Sequence, residues 1–111
     1  MSSSLHDHIE TIESGYEFLL AYAAQGRDSD TGSEVRSILT GMSAAADNIA
    51  QTLDGTDFNA VVVEDARKAG AAMSLVLSQS QIGSELVDNL NASIHLRAFL
   101  TDLFLLSETG D

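Results

Sequence analysis

The sequence predicts an all-α fold: an up-and-down antiparallel four-helix bundle in a single domain spanning residues 1–111. Three observations carry the prediction. Apolar residues recur at alternating steps of four and three through several long segments, the spacing of one helix face. Turn chemistry rich in Gly, Asp and Ser separates the segments. The chain has 44% hydrophobic residues and no Pro, so it can fill a core and lacks a residue common in the turns and edges of β domains.

The first helix is expected over residues 5–25. Its seam runs Leu5, Ile9, Ile12, Tyr16, Leu19, Ala23, with Ser4 as N-cap and Gly26 as C-cap. Gly15 lies inside this seam, where it costs about 1 kcal/mol relative to Ala and permits a close crossing with a neighbour. The second helix is expected over 32–53, opened by Thr31 and Glu34 at capping-box spacing and closed by Asp54-Gly55. Its seam is Val35, Ile38, Met42, Ala45 and Ile49, widened by Leu39 and Ala46. The third, over 57–79, has Thr56 or Asp57 as cap and the seam Val62, Ala66, Ala69, Met73, Val76. The triplet Val61-Val62-Val63 is strand-like, but it has no partner run elsewhere. The fourth helix is expected over 84–107, with a turn at Gly83 and Ser84 as cap. The competing reading is one unbroken helix from Asp57 onward.

That last helix organises the rest. Its first half shows one apolar face, through Leu86, Leu90 and Ile94. Its second half leaves a polar strip of little more than Arg97, Thr101 and Asp102. A helix apolar nearly all round must be covered nearly all round. The expectation is therefore a homodimer formed through Leu96, Phe99, Leu100, Leu103, Phe104 and Leu106. Asp102 either belongs to the polar strip or pairs across the dimer axis; if buried, its pKa would rise.

Seventeen acidic residues face five basic ones, a formal net charge of −12. Such a chain repels the nucleic-acid backbone and an anionic membrane, so neither is an expected partner. A protein partner, basic in character, is. Cysteine is absent, which excludes disulfides, thiolate metal sites and cysteine catalysis. No secretory signal pattern and no membrane-length apolar run are visible, which makes the cytoplasm the default location.

The candidate sites are few. His6, His8 and Glu10 form the one dense group of possible metal ligands; His6 and Glu10 share a helix face and could serve a divalent or transition metal ion with ligands from a second chain. The bland reading is a solvated first turn, with no cofactor. A di-iron bundle needs Glu-x-x-His spacing, and none occurs. His95 precedes Leu96-Arg97-Ala98, a poor match to a phosphotransfer histidine, and reads as structural. No Gly-x-Ser-x-Gly elbow, Ser-x-x-Lys or phosphate loop is present. The first-helix seam turns Phe18 outward, with Tyr22, Glu13 and Glu17 near it. An exposed aromatic in an acidic field suits docking of a basic, partly apolar protein. The expected function is thus a small acidic helical interaction or accessory protein, non-catalytic, that binds a partner protein. The alternative is a metal- or small-ligand-binding bundle, enzymatic or not, using the N-terminal His/Glu group at a subunit interface.

Overall fold

The computed structural model describes residues 2–109, with side chains from Leu5 onward, and places them in five helices. These are α1 (Ser2–Ala23), α2 (Val35–Thr52), α3 (Phe58–Leu77), α4 (Ser84–Ala92) and α5 (Ile94–Thr109). No strand occurs among the described residues. The radius of gyration is 13.8 Å, against about 13 Å for a folded domain of this length.

Three of the expected seams form the core. On α1, Ile9, Ile12 and Leu19 are buried, and Leu5, Tyr16 and Ala23 border the core. On α2 the buried set is Val35, Leu39, Met42, Ala45, Ala46, Ile49 and Ala50. On α3 it is Val62, Ala66, Ala69, Met73 and Val76, the seam read from the spacing. Gly15 does bring α1 and α2 together: a Cβ there would stand 2.5 Å from Met42 Cγ and Sδ. Capping departs from expectation. The side chain of Ser4, the expected cap of α1, lies outside the described residues. The capping box at Thr31 does not form; α2 starts later, and Ser33 Oγ accepts the Val35 N–H at 3.1 Å.

The expected fourth helix is two helices, so the fold is not a plain four-helix bundle. Ser93 is extended (φ −61°, ψ 130°), and its Oγ accepts the His95 N–H at 3.2 Å. That is N-cap geometry for α5. Asn89, Asn91 and Ser93 all favour caps and turns over helix interiors, which is why the chain breaks here without Gly or Pro. The stripe Leu86–Leu90–Ile94 was read across this break. In the structure Val87 is buried in place of Leu86, and Ile94 is 71% exposed.

The break also changes how α5 is covered. Leu96, Phe99, Leu100 and Leu103 are buried in the protein's own core, with Leu106 beside it. They rest chiefly on α3. Four of the six residues assigned to a dimer surface are therefore occupied within one chain. Phe104, half exposed, and the neighbouring Leu105 remain on the surface. Dividing the segment lets α4 and α5 present different faces, so a single chain hides what one straight helix could not.

Candidate functional site

The end of the molecule where α1 finishes is built for rigidity. Tyr22 is 1% exposed, and its hydroxyl donates to the Ile82 carbonyl at 2.6 Å. Its ring stacks on Phe18 and carries the Arg27 guanidinium 5.5 Å from the centroid. Ser84, expected as a cap, has a different task. Its Oγ donates to Tyr22 O at 2.7 Å and accepts the Arg27 N–H at 2.8 Å. Gly83 allows this approach, since a Cβ there would lie 3.0 Å from Arg27 O. Two turns along α4, Asn91 Nδ2 donates to Leu19 O at 3.1 Å.

Arg36 completes the clasp. It donates to the Leu77 carbonyl at 2.9 Å and to Gln79 O at 3.1 Å, a cation on the last turn of α3. It also pairs with Asp30 at 3.2 Å, the one ion pair among the described residues. Asp30 accepts the Ile82 N–H at 2.9 Å. That backbone bond first, and Arg36 second, hold the Asp30 carboxyl below its ordinary pKa of 3.8. A carboxylate depressed in the folded state stabilises above its ordinary pKa and loses that contribution as pH falls through the depressed value. Asp30→Asn should therefore be less stable than the parent at neutral pH and should lose less on acidification. Thermal melts from neutral to strongly acidic pH check this; parallel pH profiles for the two proteins would contradict it.

A second group lies between α3 and α5. Asp102 is 7% exposed, and its Oδ2 is buried with no hydrogen-bond partner. Asp65 of α3 is within hydrogen-bonding reach. Burial first, then the hydrogen bond and charge of Asp65, push Asp102 up to about 7. Arg97, on the same helix, is exposed and makes no ion pair with it. Asp102 thus belongs to no solvated polar strip: it is a buried acid facing a second acid. The sequence signal was an Asp inside the most apolar stretch, but its partner lay far away in sequence.

The topology gathers apolar side chains near this pair. The Tyr22–Ile82 bond and the Arg36 cap put the ends of α1 and α3 together with the start of α2. The start of α3 therefore lies at the opposite end. Asp102 meets Asp65 roughly three turns back from the end of α3, so α5 runs toward that opposite end as well. Helical spacing puts Phe58 and Val61 on the Asp65 side of α3, and Leu105 one turn beyond Asp102. Phe58, Val61, Phe104 and Leu105 are all exposed. Asp54, Asp57 and Glu108 are exposed acids at the same end.

The other sequence-derived site residues lie elsewhere in the fold. Tyr22 is a core residue and is unavailable to a partner. Phe18 is only part-exposed, because it stacks on Tyr22. Glu17 is exposed and Glu13 partly so. His6 and Glu10 are exposed and His8 partly so. Among the described residues no group of three or more His, Cys, Asp or Glu side chains is placed to hold a metal ion. No described helix is long and apolar enough to cross a membrane. A groove of about 590 Å³ lies between α2 and α3, bordered by Ala44, Asp47, Arg67, Gly70 and Ser74. A smaller one of about 330 Å³ lies beside Phe18, Gly15, Ile38 and Gly41. Neither contains a convergent set of reactive groups. The chain matches no family model, no curated protein and no solved structure in the comparisons made.

Proposed function

We propose that the protein acts by binding another protein, without catalysis, through the end of the bundle formed by α3 and α5. What supports this reading is a set of exposed apolar residues toward one end of the bundle, Phe58 and Val61 on α3 and Phe104 and Leu105 on α5, together with exposed acids there. An apolar patch with a charged rim is the anatomy of a protein interface. The occupant it suits is a basic protein with an apolar anchor: a net charge of −12 attracts such a partner and speeds its encounter. The docking surface is thus on α3 and α5 rather than around Phe18 on α1.

The test is capture of a partner by the intact chain. A stoichiometric basic protein should be retained, should be released as salt rises, and should bind about 30-fold more weakly to Leu105→Glu, a loss typical of one interface anchor. Leu20→Glu, at an exposed apolar residue outside this patch, should bind normally. Equal binding by both variants would refute the assignment of the surface.

Homodimerisation through α5 is a second reading, favoured by the half-exposed Phe104 and Leu105. It must overcome the repulsion of two chains of the same charge. It therefore predicts a dimer that strengthens with salt in light scattering, the opposite of the response expected for a basic partner.

A further inference from the structure

We propose that α5 is seated on α3 by one proton shared between Asp65 and Asp102, and that losing this proton lets α5 come away from α3 about Ser93. Three features of the structure lead here. The first is the buried carboxyl of Asp102 at the α3–α5 contact, with an oxygen that has no hydrogen-bond partner among the described residues. Two ionised carboxylates at hydrogen-bonding distance repel, whereas a carboxylic acid donates to a carboxylate. A single proton therefore turns the contact from repulsive to attractive.

The second is that, among the described residues, no cation acts on this carboxyl. On α3, Arg67 and Lys68 are exposed, as is Glu64; on α4, Glu85 and Asp88 are exposed. On α1, the titratable groups are His6, Asp7, His8, Glu10, Glu13, Tyr16, Glu17 and Tyr22, and on α5 itself His95, Arg97 and Glu108 are exposed. Of all these charged and titratable groups, only Asp65 acts on the Asp102 carboxyl.

The third is the hinge. Ser93 is an extended residue between two short helices. α4 is tied to α1 by Ser84 and Asn91, while α5 leans chiefly on α3. α4 is anchored by these bonds, while the seat of α5 on α3 combines the buried Leu96, Phe99, Leu100 and Leu103 with one polar contact that depends on protonation.

The sign follows from linkage. The folded pair keeps its proton up to about pH 7, whereas a released Asp102 ionises at its ordinary pKa of 3.8. Seating is therefore strongest at acid pH, weakens as pH rises between these values, and levels off above the upper one.

Hydrogen exchange on the full chain tests this, with rates corrected for the intrinsic effect of pH. From pH 5 to 7 the opening of α5 should become more frequent by up to about tenfold per pH unit, while α2 stays protected. In Asp102→Asn, whose amide donates to Asp65 without titrating, this slope should vanish. In Asp65→Asn, which removes the repelling charge, the slope should end at a lower pH; this second variant serves if the first does not fold. A slope unchanged in the variants, or α5 opening only together with α2, overturns the proposal.

Discussion

Phe99→Ala lowers the stability of the folded chain by about 3–5 kcal/mol, and does so equally at every protein concentration. Phe99 is completely buried, among the largest side chains of the core. Removing its ring forfeits the burial of the aromatic group and leaves a cavity between α5 and α3. Domains of this size have only about 5–15 kcal/mol of net stability, so a large share is lost. Concentration is the informative variable. A residue at a dimer interface affects a stability that depends on association, and its effect changes on dilution. A residue in the chain's own core affects a unimolecular equilibrium. Chemical denaturation at two concentrations a hundredfold apart separates the cases. A Phe99→Ala effect that shrinks on dilution would return this residue to an intermolecular surface.

Ser84→Ala costs about 1–3 kcal/mol, and Ser84→Asp costs more. The hydroxyl is buried, donates to Tyr22 O at 2.7 Å and accepts from the Arg27 N–H at 2.8 Å. Alanine leaves the Arg27 N–H without its partner at a site largely closed to water. Aspartate makes the stronger comparison. At a helix N-terminus it caps as well as serine does, so a capping role predicts little change. At this site it would press a carboxylate against the Tyr22 carbonyl. Thermal melts of the two variants decide between the roles. Ser84→Asp with parental stability would mean that Ser84 is a cap and that the tie between α4 and α1 contributes little.

The same contrast runs through the molecule. Helix identity was legible wherever one seam served one helix: on α3 the seam read from the spacing is buried, and on α2 it is buried except for Ile38, which borders the core. The turn at Gly83 was legible too, from its stop and start signals. The break at Ser93 was not, because a capping serine inside an apolar run looks the same as a helical one until its Oγ finds the His95 N–H. Tyr22 is a related case. Its place one turn past Phe18 suggested a surface aromatic, but a carbonyl far along the chain, that of Ile82, draws the hydroxyl inward. Of the two acids between α3 and α5, only Asp102 stood out in sequence. Asp65 reads as one more charge on a solvated helix.

Local spacing and turn chemistry by themselves determined that this chain is helical, where most helices begin and end, and most of the residues of α2 and α3 that are buried. These follow from interactions between residues a few positions apart. Only the tertiary structure decided that the last segment divides, that one chain covers most of its apolar face, and that Asp102 meets another acid. Each of those depends on groups distant in sequence arriving at one place, where burial and a neighbouring charge set properties that neither residue has alone.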